Sequence, residues 1–343
     1  MRADLFLVEH GFATTRSQAQ RLIASGVQWR VQVETDVEVA WKRVAKNGDE
    51  IPETAELEVL DNTEAKYISR GGLKLEGALK RTGLDVAGLR CLDIGQSTGG
   101  FTDCLLQHGA AQVVGVDVGH GQLHSTMRDD LRVVCIEGVN ARALTADDLA
   151  EHYRRAVHLK SGGEEDDLYT DTSDDEDGEG FDPLFDFLTG DLSFISLTLV
   201  LPAVVRLLKA DGHLLMLVKP QFELQPGQIG KGGIVRDPVH FDFVEKRLRD
   251  TCAGLGVEVL AWLESPIAGG DGNREFFIHA KKGHNTAGED LPLVAAPARN
   301  LPKRTPRSEQ RALHAAHEDS EEAHAGQHGP ARSKRRIKPD QDL

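Results

Sequence analysis

The stretch that most constrains this chain is Leu89–Leu105, where a short apolar run meets a cluster of glycines and apolar residues then resume at helical spacing. Leu92 and Ile94 flank Asp93, as in a buried parallel strand. Gly95, Gly99 and Gly100 then let the backbone turn sharply and approach a ligand, because no Cβ stands in the way. Phe101, Cys104 and Leu105 restart the apolar spacing as a helix. A strand feeding a glycine turn and a helix N-terminus leaves N–H groups facing a nucleotide-sized crevice at the edge of an open α/β sheet.

The glycine spacing differs from the dinucleotide fingerprint, and the following strand sharpens the reading. Gln112–Val118 is QVVGVDV, and Asp117 falls about 20 residues beyond the glycine loop, where such sheets place a carboxylate for ribose hydroxyls. The plainer alternative for Asp117 is a cap at a strand–loop junction. Asp93 adds acid beside the loop, which disfavours a pyrophosphate and suits a cationic or uncharged nucleoside. S-adenosylmethionine, with its sulfonium and amino groups, fits better than NAD. A third strand, LRVVCIEGVNAR, is followed by Asn140 in a loop, at the edge where a cofactor's base would lie, although a turn residue reads the same way. The candidate cofactor-binding residues are therefore Asp93, Gly95, Ser97, Gly99, Gly100, Phe101, Asp117 and Asn140.

The 343 residues allow two domains, or one with appendages. The longest apolar region, Phe194–Leu208, is too short and too polar to span a bilayer, and the first residues carry Asp4 and Glu9 without a signal-peptide core. Cys91, Cys104, Cys135 and Cys252 lie far apart in apolar surroundings, which points to buried thiols in a cytoplasmic protein rather than to zinc or disulfides. The net charge of −15 is concentrated in one segment: residues 161–182 hold eleven acids and no Lys or Arg, and without them 44 acids face 40 bases. That segment reads as a disordered insert, so the acidity does not argue against a nucleic-acid partner.

Residues 1–60 read as a separate unit. Leu5, Val8 and Phe12 give Arg2–Phe12 the spacing of a short amphipathic helix; Thr15 precedes a second helix, RSQAQRLIASG, stopped at Gly26. VQWRVQV, VEVAWKRV, NGDEI and ELEVL then look like small antiparallel strands. Arg2, Arg16, Arg21, Lys42 and Arg43 are candidates for a basic patch facing RNA phosphates. The pattern R-x-D-L-x-L-V-E-x-G-x-A-x-x-R-S-x-A-Q-x-L-I-x-x-G-V resembles the alpha-L RNA-binding domain of a small-subunit ribosomal protein and several RNA-modifying enzymes. The strand half departs from it, with Gln28-Trp29-Arg30 where a V-N-G turn is usual. The unit has seven bases and ten acids, so binding would rest on a local patch.

Residues 61–65 are a polar linker, and KYISRGGLKLEGALKRTGLDVAG follows as a loop and helix. There Leu73, Leu75, Ala78 and Leu79 share a packed face, and Lys74 reads equally as a solvated lysine. Further on, DFLTGDLSFI is a strand ending in Asp191, SLTLVLPAVVRLLKADG a helix stopped by Gly212, and HLLMLVKPQFE an apolar strand ending at Lys219-Pro220. A lysine at the end of a buried strand is unusual, and in an open α/β sheet both strand ends open onto the crevice, so Asp191 and Lys219 should face each other there. A structural ion pair is the alternative. The glycine-rich QPGQIGKGGIVRDP suits a substrate-covering loop or a long hairpin. A helix, HFDFVEKRLRDTCAGLG, the strand VEVLAWLES and a final strand opened by Glu275 complete an antiparallel closure.

Taken together, SRGGLKLEGAL, DIGQSTGGFTDCLL, VVGVDVGHGQL, VNARAL, GDLSFISLTLVLPA, LVKPQFE, GKGGIVRDP and NREFFIHA resemble the FtsJ-like ribose 2′-O-methyltransferases, specifically the TlyA family of rRNA methyltransferases once labelled haemolysins. The resemblance implies a Lys-Asp-Lys-Glu tetrad matched here by Lys74, Asp191, Lys219 and Glu275. It implies S-adenosylmethionine as cofactor and ribosomal RNA or ribosomal subunits as partner, with cytidine the target. The expected fold is α/β, a Rossmann-like methyltransferase sheet over 66–282, preceded by a small α+β RNA-binding domain and followed by a disordered tail over 283–343 with a short basic run. No metal or membrane is expected. The rival readings are an RNA-binding module with weak or lost activity, a small-molecule methyltransferase, and a membrane-active haemolysin.

Overall fold

The computed structural model describes residues 1–31, 39–61, 66–163 and 181–284. The acidic run at 164–180, residues 62–65 of the linker, and the tail from 285 lie outside the described residues.

The chain opens with α1 (Ala3–Glu9) and α2 (Arg16–Gly26), followed by β1 (Val27–Val31), β2 (Lys42–Arg43) and β3 (Ala55–Val59) in an antiparallel sheet of order β2-β1-β3. Thr15 caps α2 as expected, its side chain accepting from Gln18 N. The buried side of α1 differs from the apolar spacing. It is formed by Ala3, Asp4, Phe6 and Leu7, while Phe12 is exposed. Arginines decide this outcome: Arg2 Nε lies 3.0 Å and Arg16 Nη2 2.8 Å from opposite oxygens of Asp4, so a carboxylate can be buried where a leucine was expected. NGDEI forms no strand, and only an isolated bridge joins Arg2 to Glu50.

The larger part contains α3 (Arg70–Thr82), β4 (Arg90–Ile94), α4 (Gly100–Gln107), β5 (Gln112–Asp117), α5 (Ser125–Asp129), β6 (Val133–Glu137) and α6 (Ala146–Lys160). It continues through β7 (Phe185–Gly190), α7 (Leu197–Val204), β8 (Leu208–Val218), α8 (Pro220–Glu223), α9 (Pro238–Gly254), β9 (Val257–Glu264) and β10 (Phe276–Lys282). The strands form one sheet in the order β6-β5-β4-β7-β8-β10-β9. The first five are parallel, and β10 runs antiparallel to both neighbours, which is the closure expected from the sequence. One face is covered by α6, α7 and α9, with Leu149, Leu201, Val244 and Leu248 in its core. The other is covered by α3, α4 and α5, with Leu75, Ala78, Cys104, Leu105 and Met127. Burying each large aliphatic or aromatic side chain contributes roughly 1.5–3 kcal/mol, so the sheet and its two layers hold the crevice rigidly.

One boundary moves. Gly212 does not stop the helix after Ser196; α7 ends at Val204, a single 3-10 turn follows, and Leu208–Gly212 already belongs to β8. Asp211 there has φ +61, and the pairing with β7 shifts register between Phe185 and Phe187. This irregular first half of β8 has the composition of a helix end without being one.

Candidate active site

At the carboxyl ends of β4, β5, β7 and β8 lies a cavity of about 560 Å³. Its floor is the glycine turn. Gly95, at φ +82, passes so close to Asp191 that a Cβ would sit 2.8 Å from the Asp191 carbonyl oxygen. A Cβ on Gly100 would meet Ser69 Oγ at 2.0 Å. Both positions therefore need glycine for packing, and the turn is left open toward the cavity. Asp117 fixes the turn from the next strand: its two oxygens accept from Ser97 N at 2.7 Å and Gly119 N at 2.7 Å. Asp117 thus holds the loop, as a strand-end cap would, and also lines the cavity.

Gly95, Ser97, Gly100, Phe101, Asp117 and Asn140 all line the cavity. Asn140 also caps the next turn, its Oδ1 accepting from Arg142 N at 3.0 Å. Asp93 and Gly99 stand behind the wall. Gly99, at φ +94, opens α4 against Leu123 and Met127. Asp93 is fully buried, and its Oδ2 accepts from Thr102 Oγ1 at 2.7 Å, while Thr102 in turn accepts from Gln96 Nε2 at 3.0 Å. Burial outweighs the Thr102 hydrogen bond and pushes Asp93 up to about 7. It lies beneath the turn, tied to α4 through Thr102, and does not itself line the cavity.

The four candidate catalytic side chains form two pairs. Lys219 Nζ lies 2.5 Å from Asp191 Oδ1 and donates to Ser193 Oγ at 2.9 Å. Lys74 Nζ lies 2.6 Å from Glu275 Oε2, both side chains being nearly buried. Lys74 is therefore no solvated lysine. Sheet register explains why the pairs are neighbours: Phe276 pairs with Val218, so Glu275 and Lys219 follow one step further on adjacent strands. Gly190 pairs with Met216, bringing Asp191 to the same end. The turn leading to Glu275 is packed on α3, with Arg70 Nη2 donating to Ala268 O at 3.2 Å. Asp191 and Lys219 line the cavity directly.

Several wall residues escaped the sequence reading. Ser69, Gln96, Gln122 and Ser193 line the cavity, and Ser97 Oγ donates to Gln122 Oε1 at 3.2 Å. Phe194 is the most unusual. It is 90% exposed, holds a left-handed φ of +64, and lies on the cavity wall with its ring 5.0 Å from that of Phe222. An exposed aromatic in a strained conformation is a candidate platform for a planar partner. The sequence reading took it only as the first residue of the apolar stretch Phe194–Leu208.

A cradle whose glycines exclude side chains, a carboxylate ending the second strand and a cavity of this size suit a nucleoside-bearing cofactor. Residues 67–282 match the FtsJ-like methyltransferase model. The chain belongs to the FtsJ-like methyltransferase family. It is 38% identical over 283 residues to the 16S/23S rRNA (cytidine-2′-O)-methyltransferase TlyA of Mycobacterium tuberculosis, covering 81% of this chain and 88% of that protein. It is 34% identical to Hemolysin A of Brachyspira hyodysenteriae, covering 81% of this chain and 99% of that one. A solved hemolysin-labelled structure from Streptococcus thermophilus is 33% identical and superposes with a TM-score of 0.56, covering 95% of this chain and 98% of that chain.

In the N-terminal unit, Arg2 and Arg16 are engaged by Asp4, and the hydrogen bonds from Arg2 and then Arg16 hold that carboxyl well below the usual range. Arg21 is half-buried on α2. Lys42 and Arg43 are exposed on β2, Lys42 lying 5.2 Å from the Trp29 ring centre. Among the described residues no helix is long and apolar enough to cross a membrane, and no group of three or more His, Cys, Asp or Glu could hold a metal ion.

Proposed function

We propose that this family member transfers a methyl group from S-adenosylmethionine to a ribose 2′-hydroxyl of ribosomal RNA in the cytoplasm, with cytidine as the target. One observation carries the reading: the Lys219–Asp191 pair lines a glycine-floored cavity at the strand ends, and sheet register brings Glu275, the partner of Lys74, to the position beside Lys219. Bound S-adenosylmethionine supplies a strongly electrophilic methyl that demands in-line approach. The rest of the chemistry is positioning by the chain. Gly95, Ser97, Gly100, Phe101, Asp117 and Asn140 hold the cofactor. Lys219, oriented by Asp191 and Ser193, donates to the hydroxyl oxygen and turns its lone pair toward the methyl. As the O–C bond forms and the methyl–sulfur bond breaks, the hydroxyl proton would pass to the Asp191 carboxylate, which lines the cavity beside Lys219. Lys74 and Glu275 hold the ribose and its phosphate in register, and Phe194 stacks on the target base. Converting the encounter into a fixed, aligned pair accounts for much of the rate. RNA contact by the N-terminal unit falls on Lys42 and Arg43, since Arg2 and Arg16 are occupied by Asp4.

The test is transfer of labelled methyl to naked rRNA, isolated subunits and whole ribosomes, followed by mapping of the modified ribose. Label on a single cytidine 2′-oxygen, absent with Lys219→Ala, supports the reading. Cofactor binding without label on any rRNA form favours the RNA-binding module, and leakage from vesicles would revive the membrane-active one.

A further inference from the structure

One buried carboxylate has no part in the chemistry above. Glu223 closes α8, a single turn that starts immediately after Lys219, and is only 3% exposed. It does not line the cavity. Its Oε2 accepts from Ser196 Oγ at 2.5 Å, and its Oε1 accepts from Leu197 N at 2.7 Å. Ser196 is the cap of α7. Arg247 of α9 closes the arrangement, donating to the main-chain oxygen of Glu223 at 2.7 Å and to Thr198 Oγ1 at 3.3 Å.

This geometry matters because of what it spans. Asp191, Ser193 and Phe194 sit on the loop between β7 and α7; Lys219 sits between β8 and α8. At the strand ends both loops are held by the sheet. Glu223 joins their far ends to each other. A carboxylate buried without an ion pair at its own oxygens is costly, and burial pushes this one up against the pull of Ser196 and Leu197 N. An apolar residue would pack at lower cost but would leave the Ser196 hydroxyl and the Leu197 N–H without their buried acceptor.

We infer that Glu223 is a positioning residue of the methyl transfer: it sets the Lys219–Asp191 alignment by tying the loop after β7 to the turn after β8. This rests on the function proposed above. Neither Glu223 nor Ser196 lines the cavity, so their removal should act on turnover and leave binding intact.

The experiment compares Glu223→Ala, Glu223→Gln and Ser196→Ala in single-turnover methylation, cofactor titration and hydrogen exchange of the peptide containing 191–197. Glu223→Ala should lower kcat by about 100-fold, the cost of an ångström-scale misalignment, with KM and cofactor Kd within about threefold. Ser196→Ala removes one of the two bonds and should cost about tenfold. Glu223→Gln should recover to within about fivefold of the parent, because an amide can accept from Leu197 N while donating to the Ser196 hydroxyl. Exchange at 192–195 should quicken at least about tenfold in Glu223→Ala and return toward normal in Glu223→Gln. Unchanged kcat in a folded Glu223→Ala, or a loss carried by KM and cofactor Kd, would overturn the inference. If Glu223→Ala does not fold, Ser196→Ala and Glu223→Gln decide it alone. If the parent protein methylates no RNA, the proposed function fails, and unchanged exchange in the variants would then separately refute the tie.

Discussion

The N-terminal unit and the crevice both bury carboxylates beside cations, but they do so differently. At Asp4 one fully buried carboxylate is gripped from two sides by Arg2 and Arg16, and Gln20 Nε2 approaches at 3.4 Å. At Lys219–Asp191 a single lysine meets a single carboxylate on a cavity wall, with a serine hydroxyl beside them. The first arrangement is saturated and can only hold structure. The second retains hydrogen-bonding capacity and faces a cavity, which chemistry requires. The same ingredients therefore give a fastener or a site according to whether any valence faces open space.

The largest expected effect is at the second centre. Lys219→Ala should lower kcat at least about 1000-fold, because the hydroxyl loses the donor that aligns it and Asp191 loses its partner. Calorimetric cofactor affinity should stay within about threefold. Equal losses in both would move Lys219 from the hydroxyl to the cofactor and weaken the contrast. At the first centre, Asp4→Ala should leave turnover per folded molecule on naked RNA unchanged while destabilising the fold, since a buried site is emptied and two half-exposed guanidiniums lose their common partner. Urea titration measures this as a lower midpoint with an unaltered slope.

Acid separates the fastener from a third buried group. Asp4 is depressed in the folded state, so its contribution is complete above the unfolded value of about 4 and is lost as pH falls below it. His279 works in another window. Burial, with His213 Nδ1 2.9 Å from its Nε2, brings it down to about 4. Its unfolded value is about 6.5, so the unfolded chain binds more protons between the two and stability should rise with pH across that range. His279→Gln should flatten that rise, which cannot exceed about 1.4 kcal/mol per pH unit. A midpoint series from pH 4 to 7 reads it out, and a slope that persists in the variant would assign it elsewhere.

What the sequence made legible follows from how local each cause is. The glycine turn could be read because positive φ selects glycine, and Asp191 and Lys219 could be read because a charged residue ending an apolar strand has few places to go. Asp117 was legible for its position at the end of the next strand. Lys74 and Glu275 were grouped by the family resemblance; spacing could not pair them, because Glu275 arrives from the last strand through sheet register. The inner face of α1 was hidden because its Asp4 is made buriable by an arginine on the next helix. The hydrogen bond of Asp93 to Thr102 was not legible, because Thr102 lies on the helix after the loop and its side chain gives no signal in the spacing. Phe194 drew notice only as the start of an apolar stretch, and the structure exposes it on the cavity wall.

The smallest effect tests whether the basic residues spared by Asp4 are those that meet RNA. Lys42 and Arg43 are exposed on β2, and no ion pair of either is seen among the described residues, in contrast to Arg2 and Arg16. If each contacts one phosphate, the double variant Lys42→Ala with Arg43→Ala should bind rRNA about tenfold more weakly and lower the salt dependence of log K by about 1.5 to 2. Turnover at saturating RNA should not change, because neither side chain reaches the crevice. Removing Arg16 alone should leave the salt slope at its parental value while lowering stability, because its charge is already answered within the fold. The opposite pattern, a reduced slope with Arg16→Ala and none with the double variant, would make the Asp4 cluster the RNA-facing one and erase the distinction between the two regions.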